Sequence, residues 1–523
     1  MWLPIAGTVL AGAVLLFCYL RIAGMTKVNS DSAGLVLMAS DMLHGNLLLH
    51  GWITADVSFY STELVQYALL QTVLPMGAAA KDAGGAMTYT LLVAGAALLA
   101  KGRAAGREGL VRALLAAGIM LAPALGGFTG TLLHAPDHTG SAVPVLAAWL
   151  VIDRCRPRWY VPVAVTLLLA WGAVGDPLIE ITGAAAIAVA CGVRTGRRLL
   201  LAREASREAA SPPWFEPSLV ASAAVSAVVA AAGRWAITAA GGFASSPVNQ
   251  AIGLSGLWRN APVAGKGLLG LFGAAFWSGH PSAWQLAFDG IHLAGSALAL
   301  AGLLLALRRF FGPDALLTAG LAAGIVLNVG AWMASGYVSD LLSSREAAAV
   351  LPFAAVCAGR LLSGPVLRAR SRGPSLALAG VGAAYVTMLA VNAAVARPAV
   401  PPTASVASWL AARHLTSGLA TDYWLSNVIT AQTRNGVRVR EAVVTGGRVS
   451  RPAGWEIDTR WYDPADSRDG YLLTDAAYGS AEWRSQVRAA RATFGAPARV
   501  DRVDGYTVLT WPGNILSRLR SAP

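Results

Sequence analysis

The chain has 523 residues, of which 55% are hydrophobic and only 13% charged, about half the roughly 25% charged share of a soluble domain. One oversized core cannot absorb that excess, because single cores stop growing at about 250–300 residues, so repeated bilayer-crossing runs explain it. The formal charge of +13 would suggest nucleic acid in a soluble protein. Here the basic residues fall between apolar runs, where they orient helices and meet anionic lipid, and no nucleic-acid partner is expected.

Apolar runs of spanning length cover approximately residues 2–22, 85–101, 110–127, 140–153, 159–175, 179–194, 215–236, 287–307, 314–333, 346–364 and 374–395. Trp2 to Tyr19 lacks the basic start and the small-x-small cleavage site of a secretory signal, and reads as a retained helix. Basic clusters follow at Lys101/Arg103/Arg107/Arg112, Arg154/Arg156/Arg158, Arg194/Arg197/Arg198/Arg203/Arg207, Arg308/Arg309 and Arg368/Arg370/Arg372. With about eleven spans every cluster falls on one side, which the positive-inside rule makes the cytoplasm. Residues 62–78 are also apolar, but they carry Glu63 and Gln66 and end at Pro75. Counting them as a span would reverse every later loop, so 25–84 reads as one long outer segment holding interfacial amphipathic helices.

After the Pro-rich linker 398–402 the pattern changes. Ala404 to His414 and Ala481 to Phe494 read as helices. Gly418 to Thr421, Val437 to Val444 and Tyr471 to Thr474 read as strands, and Val500 to Val503 and Tyr506 to Trp511 flank the hairpin signal Asp504-Gly505. The expected fold is therefore a polytopic α-helical membrane protein of about eleven transmembrane helices. Its transmembrane unit would be 1–397 and its small extracytoplasmic α/β domain 398–523, in a cell membrane with the N-terminus cytoplasmic. The cysteines, Cys18, Cys155, Cys191 and Cys357, all lie in or beside apolar runs and give no disulfide framework.

The outer face collects the unusual polar residues. Asn29-Ser30-Asp31-Ser32 follows the first span. A carboxylate there serves as a general base or a cation ligand, or else Asp31 or Ser30 caps a helix beginning near Ala33. His134-Ala135-Pro136-Asp137-His138 precedes the fourth span. Two imidazoles and a carboxylate so close suit a phosphate or a metal, or form a solvated turn with Asp137 as cap. Asp176 before Pro177 is ordinary capping. Arg345 opens a late span against the helix dipole and needs a partner: Asp340, Glu346, or a phosphate held bidentately. The outer loop 237–286 adds Arg259 and Lys266 among tryptophans, which anchor an interface or form a sugar platform.

The order of these features resembles the GT-C superfamily of membrane glycosyltransferases, the polyprenyl-phosphate-sugar-dependent type that includes protein O-mannosyltransferases and the aminoarabinose transferase. Asp31 stands where that family places an acid in its first outer loop. Gly45 to Trp52 and 62–78 are similar to its juxtamembrane helices, and His134 to Val143 to the loop before its fourth span. Arg345 with Pro352 beyond it resembles the family's late-span arginine. The pattern departs in two places: Ser32 occupies the position of a second acid, and Glu346 that of a tyrosine. Asp41, Asp56 or Glu63 would then supply the second carboxylate.

The resemblance implies a glycosyltransferase working with membrane lipid, a polyprenyl-phosphate sugar donor and an acceptor on the outer face. Asp31 would be catalytic, and Arg345, His138 and His134 would bind the donor phosphate. A divalent cation, Mg or Mn, is compatible with it. A transporter or lipid flippase is the alternative, although the runs are mostly free of ionisable residues and no repeated half is visible. A membrane scaffold without catalysis is a third reading.

Overall fold

The computed structural model describes residues 2–134, 138–200, 212–245, 251–277, 282–312, 315–368, 373–452, 454–466 and 470–521. Up to residue 395 it is mostly helix: α1 Trp2–Ala23, α2 Ser30–Leu43, α3 Glu63–Gln71, α4 Ala78–Lys101, α5 Gly106–Met120, α6 Gly127–Leu133, α7 Ala142–Arg154, α8 Tyr160–Gly175, α9 Ala186–Leu200, α10 Phe215–Ala239, α11 Leu254–Leu271, α12 Ala283–Arg308, α13 Leu316–Met333, α14 Val350–Arg368 and α15 Gly373–Val395.

Among the described residues seven helices (α1, α4, α10, α12, α13, α14 and α15) are long and apolar enough to cross a membrane. Exposed Val9, Leu10, Phe17, Leu300 and Val386 give them an apolar outer surface suited to hydrocarbon. The other expected spans also hold helices, but shorter ones. α8 has 16 residues, and α5, α7 and α9 have 15, 13 and 15. Thirteen residues rise about 20 Å against a hydrocarbon core of about 30 Å, so length alone does not carry these across. A π-helical turn, Glu180–Ala185, runs directly into α9. The outer segment 25–84 contains α2 and α3, and α3, with nine residues, is too short to cross. The loop 237–286, by contrast, is not wholly irregular. It contains the 18-residue α11, whose internal Pro262 masks the helical pattern in the sequence.

The two ends of the bundle differ. At one, Arg103 donates to the Cys155 carbonyl, Arg154 to that of Leu98, and Arg360 pairs with Asp153 at 2.7 Å. At the other end lie the start of α2 and the residues preceding α7 and α14. The helices pack where glycine permits. A Cβ on Gly302 of α12 would overlap the α14 backbone at Ala358, whereas one on Gly290 of the same helix meets nothing.

Beyond α15 the chain forms α16 Ala404–Ala412, α17 Tyr423–Gln432, α18 Ala481–Phe494 and strands β3 Ser417–Ala420, β4 Arg438–Glu441, β5 Val443–Thr445, β6 Arg448–Arg451, β7 Ile457–Asp458, β8 Gly470–Thr474, β9 Arg499–Val503, β10 Tyr506–Trp511 and β11 Arg520–Ser521; β1 (Trp52–Thr54) and β2 (Ala244–Ser245) precede them. One sheet has the order β4-β3-β8-β10-β9, with β3 parallel to β4 and β8 and the rest antiparallel. Asp504 (φ 47°) and Gly505 (φ 88°) make the tight turn that the sequence signals between β9 and β10. A second sheet, β2-β1-β7, joins three segments far apart in sequence. Val428 and Ala431 of α17 share one apolar cluster with Leu35, Val36 and Ala39 of α2. The C-terminal elements are thereby clamped onto α2.

Gly302→Ala should lower stability by about 1–3 kcal/mol through overpacking, and Gly290→Ala should leave it near wild type; thermal unfolding in detergent reads both.

Candidate active site

The site begins with how α2 starts. α1 ends near Thr26, where the buried Lys81 ammonium donates to the carbonyls of Ala23 (3.3 Å) and Thr26 (2.9 Å) and pairs with Asp82 at 2.6 Å. Asn29 then caps α2: its Oδ1 accepts from the Ser32 amide at 2.9 Å, and the Ser32 hydroxyl returns toward the Asn29 amide at 3.2 Å. The cap is therefore Asn29, not Asp31 or Ser30, and the helix starts three residues before Ala33. His134 Nε2 lies 2.9 Å from Asn29 Oδ1 and 3.0 Å from Ser32 Oγ. Burial, aided by the Lys81 charge, lowers its pKa to about 3. A neutral imidazole brings no charge of its own, and through Nε2 His134 stands behind the cap and holds the first turn of α2.

With the cap assigned to Asn29, the Asp31 carboxylate is left for other work. It is half-buried in the first turn of α2 and accepts from the Tyr423 hydroxyl at 2.6 Å. The same hydroxyl lies 3.1 Å from Glu456 Oε2, and one hydroxyl hydrogen cannot serve both carboxylates at once. Glu456 is buried in a left-handed conformation (φ 48°), and its backbone carbonyl accepts from Asn427 at 2.9 Å. Its carboxylate rests on Gly34, where any side chain would overlap it. Burial raises the Asp31 pKa, against the opposing Tyr423 hydrogen bond and the positive charge of Arg345. Asp31 and Arg345 thus share one electrostatic environment.

Arg345 lies in a 3-10 turn, Leu341–Ala347, that Asp340 caps by accepting from the amides of Leu342 (2.8 Å) and Ser343 (3.0 Å). Its side chain is 44% exposed, enough to meet a ligand, and its Nε is 3.8 Å from Glu346. Behind it Glu346 is 3.1 Å from His138 Nε2, while His138 Nδ1 is 2.8 Å from Asp176. Burial alone would lower the His138 pKa, but the two carboxylates outweigh it and hold the ring well above its usual range, as an imidazolium. Asp176 also accepts from the Leu178 amide at 2.9 Å and from Ser141, so it caps and carries charge together.

A second carboxylate near the Asp31–Tyr423 bond is that of Glu456, from the C-terminal region. Among the described bonds, none joins Asp41, Asp56 or Glu63 to Asp31. Asp56 accepts from Tyr337 at 2.7 Å, and Asp41 pairs with Arg460 at 2.6 Å. Glu63 is buried, with Asp176 and His138 acting on its charge. Arg259 and Lys266 are exposed on α11, and Asp137 lies outside the described residues. Tyr423 and Glu456 gave no signal in the sequence: α17 was not expected, and Glu456 sits in an irregular stretch. Among the described residues no group of three or more His, Cys, Asp or Glu is placed to hold a metal ion.

An apolar cavity of about 640 Å³ runs between α11, α12, α13 and α14, lined by Phe272, Leu300, Val329 and Met333 among others. Val350, the first residue of α14, also lines it, directly after the turn that carries Arg345.

These features define a mainly helical, membrane-type protein with a charged site at one end of its helices, covered by a small sheet region. No family model matches the chain, and no curated protein matches it. Among solved structures it is similar to the Archaeoglobus fulgidus oligosaccharyltransferase crystallised with Zn and sulfate. That likeness has 11% identity and a TM-score of 0.48, over 92% of this chain and 70% of that one.

Burial pushes the Glu63 carboxyl from its ordinary 4.5 up to about 7. Because the folded pKa is the higher, Glu63 costs nothing below about pH 4.5 and destabilises progressively as pH rises toward 7. Glu63→Gln should therefore raise the unfolding temperature at pH 7.5 and leave it nearly unchanged at pH 4.5; an equal gain at both would refute the shifted pKa.

Proposed function

We infer that the protein is a membrane glycosyltransferase that moves a sugar from a polyprenyl-phosphate donor to an acceptor at the outer face. What supports this reading is a half-buried carboxylate, Asp31, held by the Tyr423 hydroxyl and feeling the charge of the half-exposed Arg345, whose turn leads into the lining of an apolar cavity. The reaction needs those parts. The acceptor hydroxyl attacks the anomeric carbon, its proton passes to Asp31, and the bond from that carbon to the donor phosphate oxygen breaks. Polyprenyl phosphate then leaves with its charge met by Arg345.

A raised pKa makes Asp31 a stronger base than an ordinary aspartate, and Tyr423 orients it. Behind Arg345, Glu346 is held by His138, whose imidazolium offsets part of its charge. The polyprenyl tail would occupy the cavity between α11 and α14. In this reading about eleven helices cross the membrane, residues 1–397 form the transmembrane unit, and 398–523 form an extracytoplasmic domain over the site.

Asp31→Asn should reduce transfer about 10²–10⁴-fold, the usual worth of a general base, without loss of fold, because Asn29 keeps the cap. Arg345→Lys should also impair transfer, since lysine loses the bidentate fork. Wild-type rates from Asp31→Asn, in a polyprenyl-phosphate-sugar assay, would refute the assignment. For topology, a cysteine at the exposed Gly446 should react with an impermeant maleimide on intact cells and one at Arg107 should not; the reverse pattern would overturn the orientation.

A further inference from the structure

A second polar pocket lies farther along α2. Leu37, Ser40, Asp41 and His44 present one face of the helix to it, and Trp52, Asn435, Arg438 and Trp461 close it, with a volume of about 190 Å³. Asp41 is ten residues past Asp31, a rise of about 15 Å along the helix, so this pocket is separate from the reaction centre. It is smaller than the roughly 300–1,000 Å³ of drug-sized sites, and offers room for a single ring.

Its walls are built and held. Asp41 Oδ2 accepts from Asn46 Nδ2 at 2.6 Å, Trp52 Nε1 at 2.9 Å and Arg460 Nη2 at 2.6 Å. Arg460 is itself fixed on Asp458, through Nε at 3.0 Å and Nη2 at 2.6 Å. All three bonds to Asp41 fall on one oxygen, which leaves Oδ1 to accept from a ligand. His44 Nδ1 lies 2.7 Å from the Ser40 carbonyl. A carbonyl can only accept, so the proton is on Nδ1, and in the neutral ring Nε2 is an acceptor. On the opposite wall stands Arg438, whose guanidinium supplies donors to the pocket. Trp52 and Trp461 meet edge to face at 5.4 Å and 71°, with the Arg438 guanidinium 5.7 Å from the Trp461 ring.

The ligand chemistry follows from these groups. Acceptors on one wall face donors on the other, with Trp461 beside them, which suits a small ring bearing several hydroxyls. Phosphate is disfavoured, because the free oxygen of Asp41 would repel it. The charges also balance, since Asp41 and Asp458 answer Arg460 and Arg438.

We propose that this pocket binds one neutral, hexose-sized sugar residue, set beside Trp461 and hydrogen-bonded through its hydroxyls to Asp41, His44, Asn435 and Arg438. The binding stands on the pocket alone. Its role rests on the transferase reading: the sugar is a unit of a saccharide substrate anchored about two to three helical turns from the bond being made.

The test uses the full-length protein in lipid nanodiscs, titrated with free hexoses and N-acetylhexosamines and followed by saturation-transfer NMR and tryptophan fluorescence. At least one of these sugars should bind saturably. Its Kd should rise about tenfold or more in Arg438→Gln, which loses a charged donor, and also in His44→Ala, where the exposed side chain makes misfolding an inadequate explanation. Inorganic phosphate should not compete. Absence of saturable binding across the panel, binding untouched by both substitutions, or competition by phosphate would each overturn the proposal. Asp31→Asn should bind the same sugar normally, so a failed transfer assay would remove the transferase reading and leave the pocket standing. In an active preparation, a KM rise in His44→Ala confined to the acceptor marks the sugar as the acceptor's; a rise confined to the donor marks it as part of a donor glycan.

Discussion

A carboxylate drawn out of water must be given a donor and a nearby positive charge, and Asp31 obtains both from distant parts of the chain. Its donor, Tyr423, lies 392 positions away, and its cation, Arg345, belongs to a turn between α13 and α14. Satisfying one side chain therefore fixes how three regions meet. α2 must enter with its N-terminus free for Asp31, so capping passes to Asn29 and Ser32. α17 must lie across α2, which their shared apolar cluster provides. The loop after β6 must double back to bring Glu456 against Gly34.

The two histidines of the His134–His138 stretch show how far environment decides chemistry. Both are partly buried, and desolvation alone would keep each neutral. His134 meets an amide oxygen, a hydroxyl and the Lys81 charge, and stays neutral. His138 lies between Glu346 and Asp176 and is held as a cation. One supports the cap of α2 and the other sets the charge behind Arg345. Glu63 completes this region as a carboxyl that burial pushes up to about 7.

The same end of the molecule combines surfaces with opposite solvent preferences. The cavity between α11 and α14 is almost wholly apolar, yet it reaches α14 just after the turn holding Arg345. The α2 face toward β7 and Trp461 is polar and aromatic. Asp31 sits between these settings, half-buried and still reachable. A substrate with a hydrocarbon tail, a phosphate and a sugar has that succession of chemistries.

The sequence by itself determined what depends on local composition. Apolar runs and basic clusters mark where helices lie, because transfer into hydrocarbon is a property of each segment. Asp504-Gly505 marks its hairpin because the turn needs left-handed backbone there. Asp31, His138 and Arg345 stood out as charged groups at helix ends. The tertiary structure decided what depends on neighbours distant in sequence. It assigned the cap to Asn29, gave the two histidines different charges, and brought Glu456 rather than Asp41, Asp56 or Glu63 beside Tyr423 and Asp31. It also made a helix of 254–271 around an internal proline, because packing against α13 and the Arg345 turn outweighs local propensity. Proximity and desolvation set these outcomes, and both arise only once the chain has folded.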